Sequence, residues 1–99
     1  MKIWVDDVRP APDGYYWARS VNDAKAAIIL SERYNTTIEL LDLDHDAGKY
    51  AKYGGDFIKI LDWMEETSRN YPVRFHTANP VGKINMELIA RKNGWKIIR

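Results

Sequence analysis

Apolar runs in this chain stop abruptly at acid or imidazole, and they do so at widely separated places. Lys2-Ile3-Trp4-Val5 runs into Asp6-Asp7, Ile38-Glu39-Leu40-Leu41-Asp42-Leu43 into Asp44-His45-Asp46, and Val73-Arg74-Phe75 into His76-Thr77. Short apolar runs bounded by polar turn residues read as buried strands. A parallel sheet would bring such strand ends to one rim, and open α/β sheets bind their ligands outside the carboxyl ends of their strands. That constraint shapes everything else in the reading.

The remaining segments fit between these strands. Tyr15 to Ala18 reads as a second strand and Trp95-Lys96-Ile97-Ile98 as a fifth. Ser20 or Asn22 can cap a helix with Ala24, Ala27, Ile28 and Ser31 on one face, ended by Asn35-Thr36-Thr37. Asp56 is placed to cap a second helix carrying Phe57, Ile58, Ile60, Leu61 and Met64, which Tyr71-Pro72 stops. Asn79-Pro80 opens a third with Ile84, Leu88 and Ile89, closed by Asn93-Gly94. Five strands and three helices predict an α/β fold with a mainly parallel sheet, a single domain over residues 1–99.

Only residues 8–14 join the first strand to the second, which is short for a parallel crossover. Seven extended residues nevertheless reach roughly 23 Å, more than the about 17 Å length of a five-residue strand. The Pro-x-Pro of Arg9-Pro10-Ala11-Pro12 suits such a stretched path. The expectation is a parallel second strand reached without a helix.

Composition narrows the function classes. The 99 residues carry 15 Lys and Arg against 14 Asp and Glu, a net of +1, so no global charge points to nucleic acid. The absence of cysteine excludes a disulfide framework and thiolate metal sites. No apolar run approaches the ~18 residues of a bilayer span, and the start lacks a signal-peptide pattern; a cytoplasmic protein without membrane contact is expected. Trp4, Trp63 and Trp95 are expected in the core, with Trp17 a further candidate.

The rim would gather Asp6, Asp7, Asp44, His45, Asp46, His76, Thr77 and Asn79. Carboxylates so gathered repel unless a cation intervenes, and oxygen clusters suit Mg²⁺ or Mn²⁺, with the two histidines shifting the choice toward Mn²⁺, Fe or Zn²⁺. Bland readings exist for each member. Asp6-Asp7 could cap a turn, His76 could be a satisfied half-buried histidine, Thr77 a plain strand residue and Asn79 a helix cap before Pro80. The dense triplet Asp44-His45-Asp46 is the hardest to justify by stability. The loop Lys49-Tyr50-Ala51-Lys52-Tyr53 could hold a phosphate and stack on a base, or simply be solvated. Lys83 lies early enough after the fourth strand to reach an anion at the rim.

These residues resemble a response-regulator receiver domain, which implies a flavodoxin-like three-layer sandwich of strand order 2-1-3-4-5, here with its first helix missing. Asp6-Asp7-Val8-Arg9-Pro10-Ala11-Pro12, Leu43-Asp44-His45-Asp46 and His76-Thr77-Ala78-Asn79-Pro80 more specifically resemble the divergent cyclic-phosphate processing receiver-like domains. The receiver lysine that ends the fifth strand has no clear counterpart.

The resemblance implies a metal-dependent phosphoesterase acting on a cyclic phosphate of a small molecule, nucleotide or nucleic-acid end. In that scheme Asp6, Asp7 and Asp44 ligate Mg²⁺ or Mn²⁺, and His45 or His76 serves as general acid or base. Asp46 orients a histidine, and Thr77, Asn79 and Lys83 bind phosphate oxygens. Asp44 as a nucleophile is a variant of the scheme. The alternative is a non-catalytic module that binds a phosphorylated ligand or a protein partner.

Overall fold

The computed structural model describes residues 1–99. The chain runs β1 (Lys2–Val5), β2 (Tyr15–Ala18), α1 (Val21–Arg33), β3 (Leu40–Leu43), a 3₁₀ turn (Gly48–Tyr53), α2 (Ile58–Glu66), β4 (Val73–Phe75) and α3 (Pro80–Lys92). The four strands form one parallel sheet of order β2-β1-β3-β4. β2 does lie parallel to β1, with Lys2 opposite Tyr15 and Val5 opposite Ala18, so the proline-rich link spans the strand without a helix. No helix is long and apolar enough to cross a membrane.

Alternation divides the sheet into two unlike faces. Ile3 and Val5, Leu41 and Leu43, and Val73 and Phe75 lie side by side across the strands. They join Val21, Ala24, Ala27 and Ile28 of α1, Ile60, Leu61 and Met64 of α2, and Met86 and Ala90 of α3 in one hydrophobic cluster. All three helices therefore cover the same face, as right-handed connections running in one direction from β2 to β3, β3 to β4 and β4 to the chain at Ile97 require. The expected three-layer sandwich is thus two-layered. A helix between β1 and β2 would have covered the second face. Instead that face presents Lys2, Trp4, Tyr15, Trp17, Asp42 and Arg74, the last two opposite each other in register.

Other expectations need correction. The fifth strand reduces to a single parallel bridge, Val73 to Ile97. Val73 donates to Lys96 O and accepts from Ile98 N, and Trp95 turns into the core. Asp56 does not cap α2: its Oδ1 accepts from Ala47 N at 3.0 Å, pinning the loop after β3. α2 ends at Glu66, well before Tyr71-Pro72, and Ser68 follows with positive φ. On α3 the buried side is Gly82, Met86 and Ala90, and Ile84 and Leu88 are exposed. Ser20 takes the α1 cap, its Oγ accepting from Asp23 N at 3.0 Å. Of the tryptophans only Trp95 is buried; Trp63 packs on the core edge, and Trp4 and Trp17 are half-buried outside it.

Candidate functional site

The carboxyl-end rim holds a chain of side chains built on Asp6. This residue directly follows β1 at 0% exposure, and its carboxylate is saturated. Oδ1 accepts from the backbone N–H of Val8 at 2.9 Å and of Arg9 at 2.8 Å. Oδ2 faces Arg9 Nε at 2.9 Å and His76 Nε2 at 3.0 Å. Burial pushes the Asp6 carboxyl up, but those two N–H donors, the His76 ring and the Arg9 charge outweigh it, holding the group below the ordinary carboxylate range. The folded structure therefore favours the ionised form of Asp6.

His76 sits just beyond β4, and its other ring nitrogen, Nδ1, lies 2.7 Å from Asp42 Oδ1. Asp42 is 2% exposed in the middle of β3 on the uncovered face, with Arg74 Nε at 4.0 Å from its second oxygen. Trp4 stacks flat on the imidazole, centroids 3.7 Å apart and planes within 4°. An imidazole thus bridges two buried carboxylates over an indole floor. Such groups are tolerable inside a protein only when fully partnered, and here every buried polar side-chain atom is.

Arg9 links this chain to the second acidic strand end. Its Nη2 donates to Asp44 Oδ2 and to the His76 carbonyl, both at 3.3 Å, and its own carbonyl accepts from Trp4 Nε1 at 2.9 Å. Burial works against the Arg9 charge, but Asp6 and Asp44 hold its pKa above the usual guanidinium value. Asp44 also receives the backbone N–H of His45 on Oδ1 at 2.7 Å. His45 Nδ1 lies 2.8 Å from Asp46 Oδ1. The His45 ring lies against Gly82 so closely that a Cβ there would collide with it. Asn79 Oδ1 caps α3 by accepting from Gly82 N at 2.9 Å, and Asn79 Nδ2 reaches Asp46 at 3.4 Å. Thr77 Oγ1 accepts from Asn79 N at 3.1 Å.

Arg9, Asp44, Asp46, Thr77, Ala78, Asn79 and Pro80 line one open cleft of about 430 Å³. Lys83 is not among them: it lines a smaller neighbouring hollow of about 170 Å³ with Arg74, His76, Glu87 and Arg99. The loop after β3 is also unlike a free lysine-tyrosine platform. The Arg19 guanidinium lies over both the Tyr50 and the Trp17 ring, each ring centre 4.7 Å away. Arg19 in turn donates from Nε and Nη2 to the Asp7 carbonyl.

A family model for the cyclic-phosphate processing receiver domain matches residues 1–92. The chain belongs to that family. No curated protein and no solved structure matches it. The region matched contains the entire rim of this receiver domain. Two of its central residues, Asp42 and Arg9, carry no functional signal of their own at the ends of the apolar runs. An acidic residue inside an otherwise apolar central strand was the available signal for Asp42, because only a partner can keep it there.

The receiver frame implies a divalent ion, and its fit can be judged from the donors. Asp6, Asp44 and His76 are the groups whose ligating atoms fall within 4.8 Å of one another. Asp7, expected as a ligand, is not in that set; its Oδ2 lies where a Cβ on Gly48 would collide. Burial raises the Asp7 pKa, its own backbone N–H opposes this, and the charges of Asp6 and Asp44 raise it further. The three clustered groups do not fit an ion as they stand. Asp6 has no free lone-pair direction, both His76 ring nitrogens are already engaged by Asp6 and Asp42, and the Arg9 guanidinium spans Asp6 and Asp44.

Proposed function

We propose that this receiver domain is a phosphoesterase that opens a cyclic phosphate on a nucleotide or a nucleic-acid end. The observation that carries the reading is the pairing of Asp44 with Arg9 on one open cleft, flanked by Thr77 and Asn79. Arg9, Thr77 and Asn79 hold the phosphoryl oxygens, a task for which a guanidinium is well shaped. Asp44 takes a proton from a water whose oxygen attacks phosphorus. The ring P–O bond breaks, and the leaving oxygen takes a proton from the His45 ring, which Asp46 holds. The products are a phosphomonoester and a free hydroxyl. His76 has a positioning role in this scheme, holding Asp6 and, through it, Arg9.

Phosphorus NMR of 2′,3′-cyclic AMP and of an oligoribonucleotide ending in a 2′,3′-cyclic phosphate tests the reading. The expected result is conversion to a monoester that Asp44→Asn removes; turnover unchanged in that variant sinks it. A module that binds without turnover is the alternative, favoured by the saturation of Asp6, and it predicts ligand binding with no product.

A further inference from the structure

We infer that Arg9 stands in the place of a divalent cation at this rim, so that the cleft engages a phosphate through its guanidinium and without a metal ion. This rests on reading the cleft as a phosphate site. Carboxylates from two strands need a positive charge between them, and the structure supplies one covalently. Arg9 Nε meets Asp6 at 2.9 Å and Nη2 meets Asp44 at 3.3 Å. An ion held by Asp6 and Asp44 would have to displace the guanidinium and break its bond to a carboxylate that already carries three other hydrogen bonds.

The residue is fixed far more firmly than a surface arginine. Its side chain is half exposed, yet its backbone N–H is held by Asp6 Oδ1 and its carbonyl by the Trp4 indole. Pro10 follows and restricts its backbone to extended conformations. Three of its five side-chain N–H groups are used, on Asp6, Asp44 and the His76 carbonyl. The two on Nη1 make no hydrogen bond within the protein, and the residue lines the cleft. A held guanidinium with a spare donor pair is preorganised for an anionic ligand, because little side-chain freedom remains to be lost on binding.

The test uses the full chain after chelator treatment and separates the cation question from catalysis. In calorimetric titrations with Mn²⁺ alone, the wild type is expected to show no saturable binding in the micromolar range. Micromolar binding that disappears in Asp44→Asn would overturn the inference. With 2′,3′-cyclic AMP and excess EDTA, the wild type is expected to bind, Arg9→Ala to bind roughly 30–100-fold more weakly, and Arg9→Lys to fall between. The lysine variant keeps the charge and serves if the alanine variant does not fold. Binding that requires Mn²⁺, or that is equal in wild type and Arg9→Ala, overturns the proposal. Arg9-dependent binding in EDTA with no product would leave the inference standing and remove the esterase reading. Turnover that appears only with Mn²⁺ would do the reverse.

Discussion

Two charged clusters sit at opposite ends of the sheet, and they differ in what they leave unfinished. At the amino-terminal end, Glu32 of α1 receives Arg69 on both oxygens, Nε to Oε2 and Nη2 to Oε1, each at 2.9 Å. The Tyr71 hydroxyl donates to the same carboxylate, and Arg69 lies over Trp63 with 4.2 Å to the ring centre. One carboxylate meets one guanidinium, and the cluster closes on itself as a clasp between α1 and the approach to β4. At the carboxyl-terminal rim Arg9 faces two carboxylates, Asp42 is buried beside them, and donor groups on Nη1 are left over at an open cleft. An ion-pair network alone therefore says little about function. Surplus charge of one sign and spare donors at an opening separate a site from a clasp.

Removing His76 should break this comparison most violently. His76→Ala leaves Asp6 and Asp42 buried without the ring that joins them, a defect that costs about 3–5 kcal/mol for a buried pair. Urea denaturation should show a loss of that size, with His76→Gln recovering part of it. A loss below about 1 kcal/mol would mean that the two carboxylates find other partners. Asp44→Asn probes the open side of the rim. It should change stability little and lower cyclic-phosphate turnover by roughly 100–1000-fold, the scale seen when an aligned polar group is removed from a transition state. A variant equally crippled in folding would make the rim a clasp after all.

Much of this arrangement is legible in the residues, and what is hidden has a common cause. The parallel β1–β2 pair follows from chain reach, and the shared rim follows from where the apolar runs stop. The Asp46 support of His45 is adjacent in sequence and was therefore readable. The bond between His76 and Asp6 joins residues 70 positions apart, and no local pattern announces it. Trp4 reads as core by its β-rich neighbours, but strand alternation puts it on the face that lacks helices, where it stacks on His76. The lost third layer hides for a similar reason. A missing helix between β1 and β2 is visible in the sequence, but its effect on a whole sheet face appears only once strand order and crossover hand are known. The fifth strand fails because strand propensity cannot tell that Trp95 turns into the core and leaves Ile97 a single bridge to Val73.

The clasp should yield smaller effects of a different kind. Hydrogen bonds from Arg69 hold the Glu32 carboxyl below its ordinary range, burial opposes them, and Tyr71 adds to the lowering. The folded state thus favours the ionised form. Its contribution to stability is present above the ordinary value of 4.5 and is lost as pH falls through the lowered folded value. Glu32→Gln should cost roughly 0.5–1 kcal/mol at neutral pH, as suits a partly exposed pair, with the difference from wild type closing in acid. Turnover should be unchanged, and a fall in activity would tie the two ends of the sheet together.

The smallest effect should come with the opposite sign, at Asp7. Its pKa is raised, first by burial and then, against its own backbone N–H, by the charges of Asp6 and Asp44. The folded state therefore binds this proton more readily than the unfolded state does. The favourable contribution is fully present below the ordinary value of 3.8 and is lost as pH rises through the elevated folded value; at neutral pH the charge is a standing penalty. Asp7→Asn removes the penalty and should raise Tm by a few degrees at pH 7, the gap narrowing as pH falls through the elevated folded value and closing below 3.8. The clasp has no such residue, because its one acid is answered in full. A Tm that falls on Asp7→Asn would show that this carboxylate is answered too, and the rim would then carry less surplus negative charge than Asp6, Asp7 and Asp44 together suggest.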